Sequence, residues 1–169
     1  MELEDAIRGR RTHKVYGSDP VPEGTLRELL ELARWAPNHH LTEPWTFRVL
    51  GPEALAALKR ATGPEGAGKL DRAPTLVCVS AVLSGDPVRD QEDLLATGCA
   101  VYAVLLGAHD RGLVGYWRTP EVLRTPEGAA AVGMTAPETF VALIYLGPAR
   151  QVLAAPGRSP VDEYVAFLP

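Results

Sequence analysis

Cysteine is scarce in this chain: two residues, Cys78 and Cys99, in 169. They form no C-x-x-C pair and lie in apolar runs, so they exclude a disulfide framework and predict reduced, buried thiols. Long hydrophobic runs are missing too. The longest, Phe140 to Leu146, is strand-sized and far from the roughly 20 apolar residues that cross a bilayer. The opening MELEDAIRGRR has no apolar stretch of signal-peptide length. A cytoplasmic protein without a membrane partner is the expectation. An excess of positive charge is lacking as well: the formal net charge is -4, which does not favour nucleic acid. With 46% hydrophobic and 22% charged residues, the composition fits one globular domain over residues 1–169, large enough to bury a core without metal or disulfide.

Several functional signatures are also absent. Gly63 to Lys69 has the G-x-x-x-x-G-K spacing of a phosphate loop, but Leu70 stands where a Ser or Thr should hold magnesium. No strand precedes it, and Pro64 removes an amide from the would-be cradle. No G-x-G-x-x-G follows a strand, so a Rossmann site is unsupported. The histidines His13, His39, His40 and His109 show no zinc spacing, and the adjacent His39 and His40 would point apart in an extended segment. No metal site is expected. Ser80 and Ser84 lack a nucleophile-elbow pattern.

What the chain does have is alternating helix and strand. Leu3, Ala6 and Ile7 predict a short helix after Glu2, with Arg10 and Arg11 in its last turn. Pro22-Glu23 opens a second helix through Leu26, Leu29, Leu30 and Ala33, stopped at Ala36-Pro37. Trp45 to Leu50 reads as a strand, Pro52 to Ala61 as a helix, Gly63 to Gly68 as a loop and Thr75 to Leu83 as a strand buried on both faces. Asp90 to Arg111 is the longest helix, apolar almost all round from Leu94 to Leu106, as for a central or interface helix. Strands Leu113 to Trp117 and Phe140 to Leu146 flank an Ala-rich helix from Pro120 to Val132. The tail beyond Gly147-Pro148 is too broken for a helix. The order predicts an α+β or α/β layered fold.

Three segments invite a functional reading. Arg8, Arg10, Arg11 and Lys14 contribute +4, so the rest of the chain sums to -8. Such a concentration suggests a local anion, since Arg forks suit phosphate and Thr12 adds a donor. Solvated cations at a helix C-terminus are the equal alternative. Ala36 to Trp45 is a polar loop held by Pro37 and Pro44; loops of this kind often carry function, though taken alone a rigid connector with Trp45 anchoring the core is the better reading. Gly115-Tyr116-Trp117-Arg118-Thr119-Pro120 leads aromatics into an Arg and a possible Thr119 cap. Taken alone, an ordinary capped helix after a strand is the better reading there.

Taken in this order, the segments resemble the nitroreductase family, in particular its small bacterial single-domain branch. The resemblance rests on Arg10-Arg11-Thr12, Pro20-Val21 with the Leu-rich helix, Ala36-Pro37-Asn38-His39, Pro44-Trp45-Thr46-Phe47, Gly98-Cys99-Ala100 and Gly112 to Thr119, and covers the chain to Gly147. It implies an α+β fold with a mixed central sheet flanked by helices, dimerised through the long central helix, with FMN between the subunits. It implies that Arg10, Arg11 and Thr12 hold the FMN phosphate and ribityl end. Lys14 would then favour negative charge at N1 and O2 of the reduced ring. His39 and Trp35 would reach the flavin of the other subunit, and Trp117, Arg118 and Thr119 would line the ring. Leu41 and Glu43 stand where relatives often carry Asn and Gln, and Arg158 is the one nearby candidate for a second phosphate-binding cation. The implied activity is hydride transfer from NAD(P)H to a nitroaromatic, quinone or similar small electron-poor acceptor in a ping-pong cycle, with no catalytic side chain. A flavin-binding module without turnover, or a sister activity such as reductive dehalogenation, is the alternative.

Overall fold

The computed structural model describes residues 1–169. Four strands, β1 (Trp45–Val49), β2 (Thr75–Val82), β3 (Leu113–Arg118) and β4 (Glu138–Pro148), form one sheet in the order β1-β2-β4-β3. All neighbouring strands are antiparallel; the mixed character expected of the sheet is confined to a parallel bridge between Thr12 and Gly115. The β2–β4 register shifts by a bulge between Val79 and Ser80. β2 is buried along nearly its whole length, which is why its sequence is apolar without alternation.

Helices cover both faces. On one, α2 (Glu23–Ala33) and α5 (Pro87–Asp110) bury Leu26, Leu29, Val101, Val104 and Leu105 against Val77, Val79, Ile144 and Leu146. On the other, α3 (Pro52–Thr62), α4 (Pro64–Leu70) and α6 (Pro126–Ala131) enclose Leu58, Leu70, Cys78, Leu123, Leu143 and Tyr145. The short α1 (Leu3–Gly9) lies against α5. Burial of this apolar surface, at roughly 25 cal/mol per Å², is the main force holding the layers together.

Four local expectations are corrected. Residues 63–68 are not a loop: Pro64 starts α4, and Leu70 anchors it in the core. A Cβ at Gly66 would sit 2.0 Å from Thr62 Cγ2, so this glycine, read as a loop signal, permits α4 to fold back on α3. α5 begins at Pro87 rather than Asp90, because Asp86 caps it by accepting from the amides of Val88 and Arg89, both at 3.0 Å. The segment 120–132 divides into a 3₁₀ turn, Glu121–Arg124, and α6. Pro126 forces Thr125 into an extended conformation, and Thr125 rather than Thr119 caps the helix, accepting from the Gly128 amide at 3.2 Å. Finally, Cys78 is buried but Cys99 is exposed, on the outer side of α5.

Gly115 joins the N-terminal segment to this frame. Its carbonyl accepts from the His13 amide at 3.3 Å, and a Cβ there would lie 2.6 Å from Leu105 Cδ2 of α5. No helix is long and apolar enough to cross a membrane.

Candidate functional site

Alternation along β3 separates the candidate residues at its end. Trp117 packs on the α5 side, where a methyl group at Gly98 would be 3.5 Å from its ring. Arg118 points to the opposite side. Its Nη1 donates to the Tyr145 hydroxyl at 2.9 Å, and its guanidinium lies 5.2 Å and 5.7 Å from the ring centres of Tyr145 and Tyr116. Arg118 is therefore held inside its own layer, and the structure does not bring its side chain to the other candidates. Thr119 is exposed just beyond β3.

The basic run leaves α1 at its C-cap, Arg10, so Arg10 and Arg11 lie beyond the last turn rather than within it. Arg11 Nη1 donates to the carbonyls of Arg8 and Arg10, at 2.6 Å and 2.8 Å, partly fulfilling the helix-end alternative. The remaining donors are different. The Nε atoms of Arg10 and Arg11 are buried without a hydrogen-bond partner. The Arg10 guanidinium lies 6.0 Å from the Tyr102 ring centre, and no carboxylate pairs with Arg10, Arg11 or Arg158.

These three arginines line a recess of about 470 Å³ between α1, Tyr102 and Pro156 of the tail. A recess of about 340 Å³, to which Thr12 contributes, shares the same three arginines. Three guanidiniums without a carboxylate partner, converging in a net-negative chain, could hold a doubly charged anion. Arg158, named from the resemblance as a candidate second cation, lies beside Arg10 and Arg11, although no periodicity ties the tail to α1. Lys14 is exposed, two residues beyond Thr12. Between them His13 is buried, its protonation made harder by burial and then by His109.

The loop after α2 lies against the first half of α5. Trp35 is 76% exposed, with the Arg34 guanidinium 5.7 Å from its ring centre. His39 Nδ1 lies 2.8 Å from Glu92 Oε2, and Thr42 Oγ1 donates to Asp93 Oδ1 at 2.5 Å. His39 and His40 do not point apart as an extended segment would require. They sit in a 3₁₀ turn with stacked rings, 3.9 Å between centres, because His40 takes φ 56°. Leu41 and Glu43 also have positive φ, 52° and 44°. Three non-glycine residues in that region within four positions mark a strained loop, of a kind that clusters at functional sites.

α5 is the common support. Glu92, under His39, and Tyr102, beside Arg10, are ten residues apart, about 15 Å along the helix. Between them the helix leaves Leu95 66% exposed, with Cys99 and Tyr102 also open to solvent, although its other sides are buried.

The far side of the sheet offers a recess of about 440 Å³ near Arg124 and Glu138. Its carboxylate is already committed: Arg48 bonds both Glu138 oxygens at 2.7 Å, and Ser80 donates to one at 2.5 Å. The Arg48 hydrogen bonds hold Glu138 down at about 2, against the cost of its burial. Cys78 on the same side is pushed up to about 12 by burial and is no nucleophile.

Comparison with known proteins gives concordant findings. The profile described as "Nitroreductase family" matches residues 7–64. Two bacterial proteins that carry the name "Putative NAD(P)H nitroreductase" match most of the chain. YdjA of Escherichia coli (strain K12) is 30% identical over 161 residues, 86% of each chain. YfhC of Bacillus subtilis (strain 168) is 27% identical over 177 residues, 95% of this chain and 91% of YfhC. Among solved structures, a nitroreductase-like family protein from Bacillus cereus superposes with a TM-score of 0.90 at 22% identity, covering 99% of this chain and 96% of that one. A protein from Desulfovibrio desulfuricans described as a "putative nitroreductase in complex with FMN" gives 0.83 at 24% identity over 98% of this chain and 96% of that one. These likenesses establish a nitroreductase-like α+β fold.

Proposed function

The chain belongs to the nitroreductase family, and on that premise we propose that it is an FMN-dependent oxidoreductase that moves reducing equivalents from NAD(P)H to a small electron-poor acceptor such as a nitroaromatic or quinone. Residues 1–169 act as one flavin-binding unit, paired with a second copy. The observation that carries this reading is the convergence of Arg10, Arg11 and Arg158, unpaired by any carboxylate and with buried Nε donors of Arg10 and Arg11 unused. A buried polar group without a partner costs about 1–3 kcal/mol, and a phosphate monoester removes that cost. The relatives' names and the FMN held by the Desulfovibrio protein point to the same ligand.

Bound FMN supplies two-electron transfer between a nicotinamide and the acceptor. The protein binds, orients and shields. Arg10, Arg11 and Arg158 grip the phosphate, with Thr12 beside them. Lys14 would supply a fixed positive charge to the bound ring and so favour its acceptance of electrons. Trp117 and Thr119 border the ring, whereas Arg118 acts from the opposite layer by holding the end of β3 through Tyr145. No side chain is assigned a proton transfer. Donor and acceptor use one slot in turn.

A pair of copies follows from α5. One chain presents the loop carrying Trp35 and His39 and the arginine recess as separate patches, their supports Glu92 and Tyr102 about 15 Å apart along α5. A second copy packed along the exposed Leu95, Cys99 and Tyr102 supplies each recess with the loop of its partner. The free thiols suit a reducing cytoplasm.

The purified protein is expected to be a yellow dimer that oxidises NADH or NADPH faster when a nitroaromatic or quinone is added. A colourless monomer that does not take up FMN would overturn the proposal. A yellow dimer inert to both nicotinamides would reduce it to a flavin-binding module.

A further inference from the structure

Asp93 is an anomaly in α5. The helix is apolar on the sides that face the core, yet it buries this carboxylate to 3% exposure. A buried carboxylate is costly unless something answers it, and nothing in the packing of α2 on α5 requires one. What answers it is Thr42, whose hydroxyl donates to Oδ1 at 2.5 Å. The preceding residue, Glu92, meets His39 Nδ1 at 2.8 Å. Two adjacent residues of the helix therefore grip two residues of one loop, three positions apart.

That loop needs gripping. His40, Leu41 and Glu43 occupy the left-handed region, which L side chains rarely adopt, and Leu41 projects almost wholly into solvent. Local bonds alone do little to hold it. Asn38 Oδ1 accepts from the Glu43 amide at 3.0 Å, and the Thr42 amide reaches the His39 carbonyl only at 3.4 Å. Strain of this kind persists where the surroundings over-determine the conformation. Here the surroundings are Glu92 and Asp93.

We infer that Asp93 and Glu92 are positioning residues for the flavin site, clamping residues 38–43 through Thr42 and His39 so that the His39 imidazole is presented in one orientation. The clamp matters for function only if the loop borders flavin, as proposed above. Its contact with His39 also fixes the ring, with Nδ1–H donating to the Glu92 carboxylate. The loop is then delivered already ordered, and flavin binding does not have to order it.

The test uses Thr42→Val, which keeps the shape and removes the hydroxyl, and Thr42→Ser, which keeps the hydroxyl. Amide hydrogen exchange over 38–43 in flavin-free protein should quicken about tenfold in the Val variant and return toward wild type in the Ser variant, the size expected for one hydrogen bond to a charged group. The Kd for FMN, read by fluorescence quenching, should rise about tenfold in the Val variant with the same rescue. In Glu92→Ala, ¹⁵N shifts of His39 should move from a single Nδ1-protonated tautomer to a mixture, with thermal unfolding unchanged. Exchange unaltered in Thr42→Val overturns the clamp, whatever the flavin does. Faster exchange with an unchanged Kd overturns the positioning role. A wild-type protein that takes up no FMN overturns the flavin reading, while the exchange and tautomer measurements still decide the clamp.

Discussion

The two faces of the sheet treat polar groups in opposite ways. On the α3–α6 side the charged side chains of the strands are answered within the chain. Arg48 is bidentate to Glu138, Ser80 adds a third donor, and Arg118 is bound to Tyr145. On the α2–α5 side, the arginines beside α1 are left unmatched and the loop over Glu92 and Asp93 is held under strain. The matched side is built to stay closed. The unmatched side has bonding capacity left for something outside the chain.

The largest effect that would break this contrast is on the closed side. Glu138→Ala should cost about 3–5 kcal/mol in urea unfolding, because it leaves the Arg48 charge half-buried and unpaired, and should leave the Kd for FMN unchanged. Acid should act similarly on wild type. Glu138 titrates at about 2 when folded against 4.5 as the ordinary value, so its contribution is complete above pH 4.5 and is lost as pH falls towards 2. Glu138→Gln should flatten that part of the pH–stability curve. If it does not, the closed side is not held together by this pair.

The next effect belongs to the open side. Arg10→Ala should raise the Kd for FMN roughly 10- to 150-fold, equivalent to about 1.5–3 kcal/mol, with little loss of folding stability. Unchanged affinity by fluorescence titration would mean the basic run is surface charge only. The smallest effect tests the boundary between the two faces. Tyr145→Phe removes the partner of Arg118 and should cost about 1 kcal/mol of stability without altering FMN affinity. A flavin affinity that fell with it would place Arg118 in the site after all.

The elements that hold the core together were legible in the sequence because each carries its own period. Leu26, Leu29 and Ala33 mark the buried stripe of α2, and the apolar run from Thr75 marks the central strand. What was misread turns on contacts between segments. Gly66 looked like a loop residue because only Thr62, one turn earlier, shows why a glycine is required. Asp86 was passed over as a cap because apolar periodicity begins later in α5. In the candidate site, the motifs name Arg10, Arg11, Thr12 and His39 but do not show what those residues touch. Arg158 comes from a tail without pattern, and Asp93 looks from sequence like any solvated helix carboxylate. Arg118 was grouped with Trp117 although a strand sends adjacent side chains to opposite faces. The alternation that exposed the strand held that information too.

Gly115 links matters that a mutational survey would treat as separate. The position accepts a Cβ only if the Leu105 side chain moves, and its carbonyl holds the segment bearing Arg10 to Lys14 through the His13 amide. Repacking the α5–β3 seam would therefore drag the cationic arm along with it. The fit of the interior and the placement of the arm thus meet at a single residue.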